Sequence, residues 1–414
     1  MAQKPLTDEQ LLEAVEAYTK HRGNSDRAAA SLNINESTFR HRLSEAERRK
    51  TAKSKPVTEN NEDEGFDKVA LLHDQLRSLR AQLHSARKTT LDEQYVREKI
   101  IKLAESESLL EIPNWMIKPP KAKSVTGVPT IFASDWHWGE VVDTKQINDV
   151  NRYDLRIAQE RAQVLIQTAT AILKTRFANP EYPGIVFALG GDMVSGDIHE
   201  ELSVSNEREI MPIVIDLWGI LTWCIETLAN EFGNVFVPCV TGNHGRNTHK
   251  IRSKGRNFTS FDWLVYNFLA KRFENDPRVR FLIPDGSDAY FQIYGHRYLL
   301  THGDQFRGGD GMIGALGPII RGDHKKRSRN AQIDTEYDTL LLGHWHQLIQ
   351  LQRLIVNGSL KGYDEYAYQN NFPFEPPRQA LWITHPEHGI TFSAPILVDR
   401  APTKRSGTWV SWKA

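Results

Sequence analysis

Residues 128–139 read VPTIFASDWHWG: an apolar, β-branched run short enough for one buried strand, then a small-residue turn, then Asp135 and His137. Outward along the chain the same grammar repeats. GIVFALG (184–190) runs into Asp192 within GGDMVSG, VFVPCV (235–240) into Asn243 and His244 within TGNHGR, and YLLT (298–301) into His302 within THGDQ. TLLLG (339–343) then runs into His344 and His346 within LGHWHQ, and RLIVN (353–357) is one more buried run. Between the first three runs lie two long amphipathic segments, about Asp154 to Phe177 and about Pro212 to Phe232, which suit crossover helices. Alternating strands and helices predict an α/β layered domain whose site is built from loops at the carboxyl ends of the strands.

A single D-x-H or GNH means little, because an isolated histidine is more often a surface or core residue than a ligand. Five strand exits that each supply Asp, Asn or His are a different matter, and they point to a metal site. The residue types fit a definite chemistry. Phosphoester hydrolysis needs a nucleophile at neutral pH and neutralisation of phosphoryl charge, which two divalent ions about 3.5 to 4 Å apart supply together. A mixed carboxylate, imidazole and amide shell suits Mn, with Fe or Zn as alternatives, rather than Ca, and the lack of thiolates argues against structural zinc.

The ordered series resembles the calcineurin-like metallophosphoesterases over about residues 128 to 360. That resemblance implies a layered β-sandwich metallophosphoesterase fold with flanking helices, over residues 125–400. It implies Asp135, His137 and His346 on one metal, Asn243, His302 and His344 on the other, and Asp192 bridging both. His244 matches the non-ligand histidine that contacts phosphate and protonates the leaving oxygen, against the plainer reading of a residue that only orients a ligand.

Departures from the pattern bear on the substrate. Protein phosphatases of this superfamily carry an Asp-Arg pair after the bridging Asp and an acidic residue after GNH. Here those places hold Ser195, Gly196 and Gly245, so a phosphate clamp is missing. The D-x-H-x-G form of residues 135–139 is similar to SbcD-type DNA nucleases, although Gly245 departs from those too. Two basic stretches read as loops flanking the site. Arg246, Lys250 and Arg252 follow His244, and Lys325, Lys326 and Arg327 lie between the fourth and fifth motifs. They are expected to hold a polyanion, with solvated charge as the alternative. Residues 307–322, rich in glycine, read as a mobile loop. Trp136, Trp138 and Trp345 sit between ligands, where packing under the metal loops is favoured over base stacking. His199, Glu200 and Glu201 receive no role.

The remaining chain reads as accessory. Residues 1–50 predict a small all-α unit, with Leu11, Leu12, Val15 and Tyr18 at helical spacing, Asn24 or Ser25 capping a second helix, and a turn at 33–35 into a third. AAASLNINESTFRHRL resembles a Fis-like helix-turn-helix, which would place Arg40 and Arg42 on DNA. Residues 51–66 are polar enough for a linker. Within 67–112, Val69, Leu72, Leu76, Leu79 and Leu83 form a short heptad-like seam, either a coiled coil that makes a homodimer or a helix packed on the next domain. The segment after Gly358 yields no role.

Charge is balanced, with 52 basic and 52 acidic residues in 414, so no global field marks the chain for nucleic acid or membrane. Cys224 and Cys239 lie in apolar runs and read as reduced core residues. Neither a signal peptide nor an apolar stretch near the roughly 20 residues of a bilayer span is read, so the expected compartment is the cytoplasm and no membrane is expected. Together these readings predict a two-metal-dependent phosphodiesterase acting as a DNA nuclease, with a partner ATPase among the expectations that the SbcD-type likeness brings. The competing enzyme reading is a phosphatase or phosphodiesterase for nucleotides or phosphoproteins.

Overall fold

The computed structural model describes residues 7–21, 24–52, 112–119, 126–198, 205–308 and 314–399. The heptad-like seam at 69–83, most of the 51–66 linker, and His199, Glu200 and Glu201 lie outside the described residues. The chain divides into two compact units, Met1–Ala86 and Arg87–Ala414.

In the first unit, α1 (Asp8–Lys20) begins at a capping box in which the Thr7 hydroxyl accepts from Gln10 N while Gln10 Oε1 accepts from Thr7 N. Helix α2 (Ser25–Ser31) is capped by Asn24, and α3 (Glu36–Ala52) follows a turn through Asn33, whose φ is 53°. Ala14, Ala17, Ala28, Ala29 and Phe39 form the core. Alanines let three short helices approach closely around one ring. Leu12, expected on the inner face, is 61% exposed because the helix turns its alanine face inward instead.

The second unit opens with α4 (Asn114–Ile117) and β1 (Val128–Ala133), continues through α5 (Leu155–Thr175), β2 (Ile185–Leu189), α6 (Ile210–Phe232) and β3 (Val235–Pro238), and then α7 (Phe261–Arg272) and β4 (Val279–Leu282). Next come β5 (Asp288–Ile293), β6 (His296–Thr301), α8 (Leu316–Ala331), β7 (Thr339–Leu342), β8 (Ile349–Leu351) and β9 (Leu354–Val356). Helix α9 (Glu365–Gln369), β10 (Arg378–His385) and β11 (Gly389–Leu397) close the unit. Every run read as a strand is one.

Two sheets result. The first has order β11-β10-β1-β2-β3-β4, parallel from β1 to β4 with β10 and β11 antiparallel at one side; the second has order β5-β6-β7-β9-β8, with β6, β7 and β9 parallel. Period-two alternation sorts the side chains. Phe132, Val186, Phe236 and Trp382 from the first sheet meet Phe291, Tyr298, Leu300 and Leu341 from the second in one apolar layer. The opposite faces carry helices: Ile131, Phe187 and Val237 pack beneath α5, α6 and α7, while Leu299, Leu340 and Leu342 pack beneath Ile319 of α8. Strands covered on both sides read as unbroken apolar runs, and β1 is buried at all six positions.

Two expectations are corrected here. Helix α6, 23 residues long, is a described helix long and apolar enough to cross a membrane, contrary to the reading that no stretch comes close. Its inner face (Ile213, Leu217, Leu221, Cys224, Leu228) belongs to the sheet core. The basic stretch around Lys325 is not a loop but the middle of α8. Pro318 is tolerated because it falls in the first turn, and Gly322 is needed because the Phe306 ring sits where a Cβ would be, 2.5 Å away.

Candidate metal centre

Each motif leaves its strand at the same edge, and the backbone there is contorted. Asp135, His137, Asp192, His344 and His346 all have positive φ, between 47° and 69°, the left-handed region that residues with a Cβ seldom occupy. Such turns aim successive side chains into one space. Close approach is also built in: a Cβ on Gly242 would lie 2.0 Å from Asp192 Oδ1, so only glycine lets the GNH loop reach that carboxylate.

Two groups of ligand atoms converge. In one, His346 Nε2 lies 3.4 Å from Asp135 Oδ1 and 3.0 Å from His137 Nε2. In the other, His302 Nε2 lies 2.9 Å from Asp192 Oδ2 and 3.2 Å from Asn243 Oδ1, with His344 in the same cluster. Asp192 belongs both with His302 and His344 and with His137 and His244, so it sits between the groups. All seven residues read as ligands in the sequence are therefore brought together.

The donor set fits divalent ions. His302 Nδ1 donates to the Gly190 carbonyl at 2.8 Å, which turns its Nε2 toward the Asp192 and Asn243 oxygens. His137 likewise turns Nδ1 outward, toward Glu140 Oε2 at 3.4 Å, and Nε2 inward. A cavity edge made of acceptors with few hydrogens calls for cations. The charges agree. Burial opposes a proton on His302, but the Asp192 carboxylate more than offsets it and lifts the imidazole to about 10, while Asp192, despite its own burial, is held far below the carboxylate range by His302 and His244. A proton here occupies the place a metal would take. Burial, then Lys361, His244 and His346, hold His137 neutral, and burial brings His344 to about 4.

His244 is half-buried beside this centre. Its backbone N–H donates to Asp192 Oδ1 at 2.7 Å, its Nδ1 approaches the Ser195 carbonyl at 3.3 Å, and its ring meets that of His137 edge-on at 4.6 Å. Trp136 and Trp138 are buried within the core, with Trp138 Nε1 donating to Asp216, so both pack rather than stack on a base. Trp345 packs against the cluster beneath α8.

Several cationic residues read as nucleic-acid contacts are otherwise engaged. Lys326 is buried and paired with Asp288 at 2.8 Å; Arg327 pairs with Asp323, donates to the Tyr337 carbonyl and lies over the Tyr337 ring. Arg246 donates to the carbonyls of Asn243, Thr248 and His249 and so braces its own loop. Lys326 is buried and needs its fixed partner, while the half-buried Arg246 and Arg327 brace the fold through theirs. Lys250, Arg252 and Lys325 are exposed. In the first unit Arg40 is exposed and pairs with Glu36, and Arg42 is half-buried.

The sequence reading missed four charged groups around the centre. Asp262, in the first turn of α7, accepts from the backbone N–H groups of Asp192, Gly242 and Val194 and so ties two ligand loops together; burial and the neighbouring Asp192 charge raise it to about 6. Glu140, Lys361 and Asp364 form a buried ion-pair chain beside His137. Only Glu140 adjoins a motif, so only it carried a local signal.

No family profile matches the chain, and no curated protein matches it in sequence. Among solved structures it is similar to a predicted phosphoesterase of Streptococcus pneumoniae TIGR4, with 11% identity, 66% of this chain and 98% of that one covered, and a TM-score of 0.26. It is also similar to vacuolar protein sorting 29 of Cryptosporidium parvum, with 14% identity, coverage of 65% and 97%, and a TM-score of 0.26. A third is the sulfate thiohydrolase SoxB of Thermus thermophilus, with 10% identity, coverage of 68% and 59%, and a TM-score of 0.29. Likeness at this level carries no weight for function, and the chemistry has to be read from the site's own atoms.

Proposed function

We propose that the chain is a two-metal-dependent phosphodiesterase and that DNA is its substrate. The observation that carries the hydrolase reading is the convergence of seven acceptor side chains from five strand exits, with His137 and His302 turning Nε2 inward. Two divalent ions, when bound, supply an activated water and neutralise charge on the phosphoryl oxygens. Asp192 is placed to join the two halves. His244, whose Nδ1 lies against the Ser195 carbonyl, takes in this reading the role of proton donor to the leaving oxygen.

The finer reading rests on surface charge. A groove of about 260 Å³ begins at Gln305, three residues beyond His302, and is lined by Arg307, Arg321 and Lys325. With Lys250 and Arg252 beyond His244, it supplies cations for a phosphodiester backbone. Arg40 and Arg42 of α3 extend the same proposal to duplex binding by the amino-terminal unit. The second enzyme reading, a phosphatase or phosphodiesterase for nucleotides or phosphoproteins, is favoured by one fact: Lys326, Arg327 and Arg329 are spent on Asp288 and Asp323.

One assay separates the two. Purified protein with Mn is offered plasmid, linear and single-stranded DNA, a small aryl phosphodiester, nucleotides and phosphopeptides. Cleavage of DNA together with the aryl diester supports the proposal. Turnover of nucleotides or phosphopeptides with every nucleic acid left intact replaces it with the second reading.

A further inference from the structure

The segment 357–364, which follows β9 and to which the sequence assigns no role after Gly358, lies against the Asp135 and His137 half of the centre. Ser359 Oγ donates to the Asp135 carbonyl at 2.8 Å, and the Leu360 N–H does so at 3.2 Å. From below, Arg161 of α5 donates to the carbonyls of Leu360 and Lys361, and Asn151 donates to those of Lys361 and Tyr363. The strap is thereby fixed from both sides.

It delivers one charge. Lys361 is 3% exposed, and its ammonium lies 2.7 Å from Glu140 Oε1 and 2.5 Å from Asp364 Oδ2. Glu140 turns its other oxygen, Oε2, toward Ser195 Oγ at 3.2 Å and His137 Nδ1 at 3.4 Å. That nitrogen is buried with no hydrogen-bond partner of its own, and Glu140 Oε2 is the acceptor placed for its proton. A histidine can present Nε2 as a lone pair only when Nδ1 carries the hydrogen. Without Lys361, the Glu140 carboxylate would be a buried charge balanced by nothing, and it would move or take up a proton.

We infer that Glu140, held by Lys361, is a positioning residue that fixes the His137 tautomer and so sets the metal affinity of the Asp135–His137–His346 half of the centre alone. The inference rests on the metal-centre reading above. The Asp192–Asn243–His302–His344 half has its own orienter, the Gly190 carbonyl on His302 Nδ1, and gains nothing from Lys361.

The test is a calorimetric Mn titration of the full chain, with ring-nitrogen NMR of the metal-free protein as a readout independent of turnover. Glu140→Gln keeps the Lys361–Asp364 pair and so disturbs the fold least; Lys361→Met with Glu140→Gln removes both charges together and serves if the single variant is poorly folded. The expected result is one Mn site weakened by about 10- to 100-fold and the other unchanged, with His137 losing its Nδ1–H tautomer. Two unaltered sites overturn the inference. Equal weakening of both sites with a lowered melting temperature also overturns it, since the network would then be merely structural. Wild-type protein that takes up no Mn, Fe or Zn overturns the metal-centre reading itself, a result distinct from two unaltered or two equally weakened sites.

Discussion

Asp192 Oδ2 lies 2.9 Å from His302 Nε2, while Asp192 Oδ1 accepts the His244 backbone N–H at 2.7 Å. One carboxylate thus spans the gap between a candidate ligand histidine and the histidine read as proton donor. Among the described residues it is also the one acidic group shared by two of the candidate ligand clusters. Asp192→Asn should therefore lower occupancy at both positions, from two ions per chain to fewer than one, with affinity down at least about 10-fold. Elemental analysis reads this directly, and two retained ions with near-normal turnover would remove Asp192 from the bridge.

His244 calls for a different signature. Removing a proton donor slows the chemical step by about 10²- to 10⁴-fold without removing a ligand. His244→Ala should keep both ions and bind DNA normally, yet cleave a sugar-phosphate bond far more slowly than an activated aryl ester. Equal losses on both substrates would assign the side chain to holding its loop against the Ser195 carbonyl instead.

Adjacent lysines on α8 should separate binding from stability. Lys326→Ala strips Asp288 of a buried partner and should cost about 3 kcal/mol in denaturant unfolding, somewhat relieved by Arg329. Lys325→Ala should leave stability within about 0.5 kcal/mol and reduce the log-log salt slope of DNA binding by about 1. An unchanged slope would speak for solvated charge and against the backbone track.

The amino-terminal unit carries its own prediction. All seven candidate ligands lie beyond β1, so deletion of residues 1–50 should weaken duplex binding at fixed salt and leave hydrolysis of a small aryl diester untouched. Undiminished affinity in the truncated chain would make the unit a protein-docking module.

Acid stability should report the Lys361 chain. Burial alone would raise Asp364, but the Lys361 ammonium outweighs it and holds the carboxyl at about 2, below its ordinary 3.8. A carboxyl with a depressed folded pKa binds fewer protons folded than unfolded. Its contribution is therefore complete above pH 3.8 and fades as pH falls toward 2, by about 2 kcal/mol in all. Asp364→Asn keeps the cap on α9, since Asn caps as well as Asp, and removes the charge together with the oxygen that accepts from Lys361. Unfolding curves of the two proteins should differ above pH 4 and converge near pH 2; parallel curves would contradict the pairing.

The cluster of candidate ligands was legible because its Asp, Asn and His residues stand at strand ends, and strand ends show in sequence as the limit of an apolar run. Asp135 through His346 needed no knowledge of which strand neighbours which. Lys361 and Asp262 did need it: each acts on a loop that only the sheet order brings near, and a lone Lys after NGSL or an Asp in a helix's first turn has no local mark. The α8 error has a similar root. Gly317, Pro318 and Gly322 speak locally for a loop, and the helix exists because Ile319 and the Phe306 ring lock it onto β6 and β7. Lys326 and Arg327 are turned onto Asp288 and Asp323 in consequence, since on a helix neighbouring cations face different ways. Leu12 shows the reverse, a pattern read by hydrophobicity where the helices chose small size.

Five candidate ligand residues held in left-handed backbone mean that the centre strains the folded chain. Glycine at any of those positions would relax the turn and remove a ligand in one step. Selection of this protein for heat resistance alone would therefore be drawn toward glycine at 135, 137, 192, 344 and 346, and would arrive at a sturdier molecule with no chemistry. The histidines and aspartates remain there only under a demand that stability by itself does not make.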